Sequence, residues 1–202
     1  MTPYGIRVTR DAPVRLTSPF NAALGDAGMA LLPAPLRAFH ADTSPRLWEG
    51  RAAVETGTAP LARLIGWALK LPRAGQDIPA TVTIDDESPP GGPSVQRWGR
   101  TFAGRSFQSQ LVSAGEGLLV ERFGPFRFRL NLMAHSDRLE ISVSGWDFCG
   151  VPLPKALMPR SDAEERIDAE GRFFADIRLT LPWIGLLVHY RVWLEPKQPY
   201  PG

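Results

Sequence analysis

One short stretch alternates aromatic and charged side chains at the two-residue spacing of a β-strand. Trp98, Arg100 and Phe102 fall on a single face if residues 95–102 are extended. An arginine between two aromatic rings at this spacing favours cation–π contact, which adds about 1 kcal/mol to packing. If the face points into the protein, Arg100 needs an acidic partner or an anionic ligand group. If it points outward, the stretch is an ordinary amphipathic strand, and the sequence leaves both alternatives open.

A carboxylate occupies a similar apolar setting further along the chain. Glu121 shares a predicted strand face with Leu119 and Phe123, and acidic residues rarely enter a core unless they are paired. We therefore predict an ion pair between Arg100 and Glu121. A structural role for this pair ranks above a catalytic one, because buried pairs commonly serve structure.

The last predicted strand supplies two further candidates. His189 and Tyr190 lie on opposite faces of this strand. A histidine that acts as a general base needs a neighbour that orients it and a bound substrate, and the sequence demonstrates neither. Catalytic residues therefore stay unassigned, and enzymatic activity is left open. The candidate ligand-binding residues are Trp98, Arg100, Phe102, Glu121, His189 and Tyr190.

The residue inventory argues against several other kinds of site. The single cysteine, Cys149, allows no intramolecular disulfide and no multi-cysteine metal site. The three histidines fall at a helix end (His40), in a turn (His135) and in a strand (His189), so we predict no histidine metal triad. His40 is interpreted as a residue that stabilises its helix terminus. Without a glycine-rich phosphate loop or a Gly-x-Ser-x-Gly motif, we predict neither a metal nor a cofactor.

The charge pattern also bears on the class of protein. The net charge is +2, and the 23 basic residues are scattered along the chain, so we expect no nucleic-acid partner. The first 28 residues lack the continuous apolar core of a secretory signal. No apolar run approaches the ~20 residues of a membrane helix. We therefore expect a cytoplasmic protein that is not an integral membrane protein.

The elements that position the candidate residues form two groups. Helices are predicted at residues 32–40 and 60–70, and the second carries an apolar stripe with Trp67 beside it. We expect this second helix, including Trp67, to pack on a sheet. From residue 80 onward the hydrophobic period becomes two, while residues 161–170 are interpreted as an acidic connector between strands. The predicted elements do not alternate between strand and helix, so a parallel sheet is disfavoured.

The predicted fold is α+β and mostly β. It is a strongly bent antiparallel sheet or a partly closed barrel of about nine strands, with two N-terminal helices packed on it or plugging it. Residues 29–196 are expected to form a single domain, and residues 197–202 a tail. Residues 1–28 mix proline, glycine and arginine without a clear period, which predicts an irregular N-terminal arm.

Six short motifs occur in series along the chain. They are Leu32-Pro-x-Pro-Leu-Arg, Gly50-Arg-Ala-x-Val, Trp98-x-Arg-x-Phe, Glu121-x-Phe-Gly-Pro, Gly150-Val-Pro-Leu-Pro and Leu181-Pro-x-x-Gly-x-Leu-Val-x-Tyr. Over residues 30–195 this series resembles the bacterial family catalogued as domain of unknown function 4166. The resemblance implies a domain that occurs alone or behind a saccharopine-dehydrogenase-like NAD(P)-binding domain, and the chain is similar to the stand-alone form. It implies no activity, catalytic residue or cofactor.

Three functions of different classes follow from these patterns. The first is a binding module that takes an apolar, lipid-like small molecule in the hollow of the bent sheet, with an acidic head near Arg100. The alternative within this class is a hollow filled by the protein's own side chains and the helix at residues 60–70. The second is an accessory or catalytic partner of a separately encoded NAD(P)-dependent reductase, suggested by the family's fusions together with Glu121, His189 and Tyr190. The third is a structural dimer formed through an edge strand.

Overall fold

Ten antiparallel strands close into a barrel in the computed structural model, which describes residues 17–89 and 92–197. Three helices accompany them: α1 (Pro19–Leu31), α2 (Ala34–Ala41) and α3 (Pro60–Ala68). The strands are β1 (Arg46–Thr56), β2 (Gly75–Asp86), β3 (Val95–Phe102), β4 (Arg105–Gly115), β5 (Leu118–Phe123), β6 (Phe126–Ala134), β7 (Arg138–Phe148), β8 (Val151–Pro152), β9 (Arg160–Ile167), β10 (Phe173–Leu181) and β11 (Gly185–Lys197).

Pairing between β6 and β7 closes the barrel. The hydrogen-bonded order is β6-β5-β4-β3-β2-β1-β11-β10-β9-β7, and the register of the closing pair runs from Phe126 opposite Phe148 to Ala134 opposite Leu139. The register shifts between Arg129 and Leu130, opposite Gly145. Strand β8 pairs only with β7 and lies outside the barrel. The predicted fold class is therefore confirmed. The sequence predicted a bent sheet or a partly closed barrel, and the barrel in the structure is fully closed.

The alternation of apolar and polar residues along each strand separates the interior of the barrel from its outer face. In β3, Gln96, Trp98 and Phe102 are buried, and Arg100 on the same face is only partly exposed. The inward orientation of this face, left open by the sequence, is thus the observed one. The other faces of the strands carry much of the charge and form ion pairs such as Lys197 with Glu49 at 2.7 Å.

Helices α1 and α2 plug one end of the barrel. Phe20 of α1 and Phe39 of α2 are buried, and their rings lie 5.9 Å from the ring of Trp98. The Phe39 ring also stacks on Phe173 at 4.1 Å. These contacts bury the apolar faces of both helices and remove this end of the interior from solvent.

The prediction of an irregular N-terminal arm at residues 1–28 is wrong for the residues of this range that form a helix in the structure. Residues 1–16 lie outside the described residues, but residues 19–28 belong to α1. Ser18 caps this helix by accepting a hydrogen bond from the Asn21 amide at 3.1 Å, and Pro19 occupies the first turn. Gly25 has a φ of +64° and kinks the helix, so the apolar period is interrupted and α1 is hard to recognise.

Helix α3 lies across the opposite end of the barrel. The predicted packing of its apolar stripe on a sheet is wrong for three residues: Leu61, Leu64 and Trp67 are 50%, 58% and 68% exposed. Because the helix crosses an open end and does not lie flat on the wall, only its inner edge meets apolar surface. Ile65 and Ala68 on that edge face the interior.

The predicted acidic connector at residues 161–170 is also wrong over most of its length. Residues 160–167 form β9, which pairs with both β10 and β7. Acidic residues occur on both faces of this strand, since Glu164 contributes to the outer ion pairs while Glu165 is buried. Acidic side chains on the two faces hide the two-residue hydrophobic period that identifies a strand.

The end of the chain extends the last strand. Of the predicted tail at residues 197–202, Lys197 is the final residue of β11, and residues 198–202 lie outside the described residues. Within residues 17–89 and 92–197, no helix is both long enough and apolar enough to cross a lipid bilayer.

The pairing of β1 with β11 predicts that Gly50 tolerates no side chain. A Cβ atom at Gly50 would lie 1.8 Å from the Trp193 carbonyl oxygen, so Gly50→Ala must push the two strands apart. We expect Gly50→Ala to lower the free energy of unfolding by more than about 2 kcal/mol, measured by urea denaturation. Gly66→Ala is the control, because no atom lies within 4 Å of its added Cβ and alanine favours a helix. Equal denaturation midpoints for the two variants would contradict the close approach.

Candidate functional site

The barrel encloses a cavity of about 550 Å³ between the helical plug and α3. Its wall is mainly apolar and aromatic, including Leu119, Phe128, Leu130, Trp146 and Ile177. The volume lies within the ~300–1,000 Å³ that is usual for small-molecule sites. The side chains of the described residues therefore do not fill the interior of the barrel.

Arg100 and Glu121 meet on the wall of this cavity, and their predicted pairing is confirmed. Arg100 Nη2 lies 3.6 Å from Glu121 Oε1, and Nη1 donates a hydrogen bond to Ser109 Oγ at 2.8 Å. The guanidinium carbon lies 5.2 Å from the centre of the Trp98 ring, as the sequence spacing predicts, but its second aromatic neighbour is Phe107 of β4, at 5.8 Å, and not the predicted Phe102. A guanidinium has five N–H donors, so Arg100 keeps donors for an additional acceptor.

Tyr190 contributes a neutral hydroxyl to the same chamber. Its ring packs 5.1 Å from that of Phe102, and burial raises the pKa of Tyr190 to about 12. The Arg100 charge opposes this shift, while the charges of Glu121 and Glu165 add to it. Within the described residues the hydroxyl has no hydrogen-bond partner, so a protonated donor lines the cavity at neutral pH.

A buried pair that the sequence did not reveal completes the polar set. Glu165 lines the cavity, and its Oε2 lies 2.8 Å from His40 Nε2, whose side chain is fully buried. The His40 ring packs 4.0 Å from that of Phe20, and its Nδ1 has no hydrogen-bond partner in the part of the chain that the structure describes.

The interpretation of His40 as a helix-terminus residue misses its main contact. His40 is in the last turn of α2, as predicted, but its ring enters the barrel and meets Glu165. The sequence did contain one indication that His40 is buried. Phe39 and His40 follow Leu36 by three and four residues, so the three side chains share one helix face. Glu165 lies 125 residues away in sequence, so nothing local indicated the partner.

The six candidate residues divide between three locations. Trp98, Arg100, Glu121 and Tyr190 line the cavity, and Phe102 packs behind it against Tyr190 and Phe107. His189 is on the opposite face of β11, where its Nε2 lies 2.7 Å from Asp176 Oδ1. The structure therefore brings four of the six together at the cavity and separates His189 from them.

The chemistry that this arrangement offers is recognition of a molecule with an apolar body and a polar end. One guanidinium and one phenol can donate hydrogen bonds, while Glu121 and Glu165 can accept them. Within the described ranges no group of three or more His, Cys, Asp or Glu side chains is placed to hold a metal ion. The polar groups are few and sit in an apolar wall, as in sites that orient one end of a ligand.

Comparison with known proteins identifies the family of this chain. A family model described as "Domain of unknown function" (DUF4166) matches residues 32–194. The matched range covers most of the chain and contains His40, Arg100, Glu121, Glu165 and Tyr190. No curated protein matches the sequence.

The contact between Arg100 and Glu121 predicts a characteristic pattern of stabilities. Their side chains are 15% and 23% exposed, so Arg100→Met leaves a carboxylate without its counter-charge, at a cost of about 1–3 kcal/mol. The double variant Arg100→Met/Glu121→Leu should recover much of this loss because no unpaired charge remains. Lys197→Met, which breaks the exposed pair with Glu49, should change stability little. Additive losses in the double variant would show that the pair is not coupled.

The burial of Tyr190 predicts a late tyrosine titration. One of the three tyrosines should ionise at about pH 12, measured by ultraviolet absorbance, and Tyr190→Phe should remove that step. The folded protein keeps this proton to a higher pH than the unfolded chain, whose tyrosine pKa is 10.0. The associated stability is therefore fully present below pH 10 and is lost as the pH rises toward 12. An unchanged titration curve in the Tyr190→Phe variant would contradict this assignment.

Proposed function

Because the chain belongs to the DUF4166 family, whose description assigns no activity, we propose from physical grounds that its barrel binds an apolar, lipid-like molecule. The observation that carries this proposal is the unfilled, mainly apolar cavity of about 550 Å³ with Arg100 and Tyr190 on its wall. A core that served stability alone would be expected to fill this space, because protein interiors are normally close-packed.

The energetics favour an apolar occupant. Transfer of apolar surface out of water contributes about 25 cal/mol per Å², and an unfilled chamber deprives its lining of dispersion partners. A hydrocarbon chain that contacts Leu119, Leu130 and Ile177 gains both terms without displacing any of the barrel's own hydrogen bonds. A strongly polar molecule of the same size would lose its hydration against this wall.

The polar end of the ligand is proposed to lie at Arg100. Glu121 is too distant, at 3.6 Å, to form an ideal hydrogen bond with the guanidinium, and the neutral Tyr190 hydroxyl is a second donor on the same wall. A carboxylate or phosphate ester would accept hydrogen bonds from both groups. A long-chain fatty acid is thus the simplest molecule that matches the chamber.

A larger side chain inside the cavity should weaken ligand binding. Ala163 of β9 lines the cavity, whereas its neighbour Asp162 is exposed. We expect Ala163→Trp to weaken fatty-acid binding at least about tenfold by isothermal titration calorimetry, and Asp162→Trp to bind like the parent. Circular dichroism of each variant checks that the barrel is intact.

The polar end is tested by a pair of ligands. Arg100→Met should weaken binding of a fatty acid far more than binding of the fatty alcohol of the same chain length, since only the acid carries a charge for Arg100. Parent protein that carries no small molecule in native mass spectrometry, and takes up none from a panel of fatty acids and phospholipids, would refute the proposal.

A second candidate is action with a separately encoded NAD(P)-dependent reductase in the cytoplasm. The observation that favours it is a protonated phenol, Tyr190, on the same cavity wall as the carboxylates Glu121 and Glu165, because such groups can exchange protons with a bound substrate. A reductase that oxidises NAD(P)H on a lipid substrate only when this chain is present would be the evidence for it.

A further inference from the structure

The end of the barrel crossed by α3 gathers five chain segments that are distant in sequence. They are residues 57–74, 103–105, 123–126, 148–161 and 181–187, which contain α3 and the connections at one end of the antiparallel strands. We call this end the mouth. The cavity extends to it, since Ile65, Phe123 and Phe126 line the cavity and are partly exposed.

Large apolar side chains are exposed mainly at the mouth. Among the described residues nine large hydrophobic side chains are exposed, and seven of them belong to the mouth segments. Two are tryptophans, Trp67 at 68% and Trp183 at 84% exposure. The seven are Leu61, Leu64, Trp67, Phe148, Val151, Leu157 and Trp183. Such a concentration around one opening marks an interaction surface, because single exposed apolar residues would otherwise be scattered.

The charge of the mouth has one sign. Its five segments contain six basic residues and no acidic residue: Arg63, Lys70, Arg73, Arg105, Lys155 and Arg160. None of the six forms an ion pair with any described residue, although Arg105 donates a hydrogen bond to the Trp67 carbonyl oxygen at 3.0 Å. This hydrogen bond ties the end of α3 to the start of β4.

The nearest carboxylates do not offset this charge. Asp77, just beyond the first segment, lies 3.7 Å from Arg51, and Asp147, just before Phe148, lies 2.8 Å from Arg127. Both are thus already beside an arginine. Asp162, directly after the fourth segment, forms no ion pair with a described residue, and this one carboxylate leaves a positive excess at the mouth. The mouth therefore presents exposed tryptophan and leucine side chains together with cations that lack a protein counter-charge.

We propose that the mouth docks on an anionic lipid bilayer. Tryptophan favours the boundary between headgroups and acyl chains, and cations near an anionic leaflet gain electrostatic attraction. Residues on short connections can enter that boundary while the strands, whose hydrogen bonds are already made, stay above it. A bilayer satisfies the apolar residues and the unpaired cations at once, which a neutral apolar partner does not.

Docking would place the opening of the cavity against the source of its ligand. This use of the surface rests on the proposed function, since it supplies a lipid-like molecule to the chamber without passage through water. The docking surface itself depends only on the mouth residues. The two claims can therefore fail separately.

Sedimentation of the full chain with vesicles tests the docking. We expect binding to phosphatidylcholine vesicles that contain phosphatidylglycerol, weak binding to pure phosphatidylcholine, and release at high salt. Trp67→Ala/Trp183→Asn should weaken partitioning at least about tenfold; asparagine is chosen because Trp183 has a φ of +59°. Arg63→Gln/Lys70→Gln/Lys155→Gln should weaken binding to anionic vesicles alone.

Among the described residues two large hydrophobic side chains are exposed outside the mouth, and they provide a control. Leu31→Ala/Met133→Ala removes exposed apolar surface at other positions and should sediment like the parent. Both tryptophan substitutions should leave uptake of a fatty acid from solution intact, whereas Ala163→Trp should still bind vesicles. Failure of fatty-acid uptake with vesicle binding retained would refute the proposed ligand and keep the docking surface.

Three results would overturn the docking proposal. One is the absence of binding to anionic vesicles by the folded parent protein. Another is equal loss of binding in the Leu31→Ala/Met133→Ala control. The third is a dimer in light scattering that Trp67→Ala/Trp183→Asn dissociates and that vesicles do not, which would assign the mouth to a second copy of the chain.

Discussion

Closure of the barrel between β6 and β7 is the constraint on which the rest of the molecule depends. Once ten strands meet edge to edge, their inward side chains surround more space than they can fill, since the interior widens with strand number. The protein fills one end with α1 and α2, whose aromatic rings pack on Trp98 and Phe173. Among the described residues only the short helix α3 crosses the other end, so the cavity is a consequence of strand number and of an incomplete plug.

The polar groups inside the barrel are costly for stability and informative about function. A core of leucine side chains would be more stable, because the attraction between paired charges seldom compensates for the loss of their hydration. The chain instead keeps Arg100 with Glu121 and His40 with Glu165, and it leaves the Tyr190 hydroxyl without a partner among the described residues. Within each of the two pairs the opposite charges partly satisfy one another, which lowers the free-energy cost of keeping these groups inside the barrel.

Much of the barrel and part of its site were predictable, because strand alternation is a local signal. The aromatic and arginine spacing of β3 correctly put Trp98 and Arg100 on one strand face but left open whether that face points inward. The apolar neighbours of Glu121 correctly indicated a partner. Helix α1 was missed because Gly25 interrupts its period, and β9 was missed because acidic residues occupy both of its faces. The pair of His40 and Glu165 joins α2 to β9 across 125 residues of sequence, so no window of sequence contains its signal. The prediction that the apolar stripe of α3 packs on a sheet failed for another reason. The sequence pattern is the same for a helix that lies on a sheet and for one that crosses the end of a barrel, and only the strand topology distinguishes the two.

The lone cysteine has a practical consequence for anyone handling the protein. Cys149 is exposed, has a φ of +50° and lies at the turn between β7 and β8, on the rim of the mouth. Air oxidation of stored protein would join two molecules through this thiol, with the mouth of each close to the linkage. Samples therefore need a reducing agent when the mouth is tested as a docking surface, since a covalent dimer would interfere with that test.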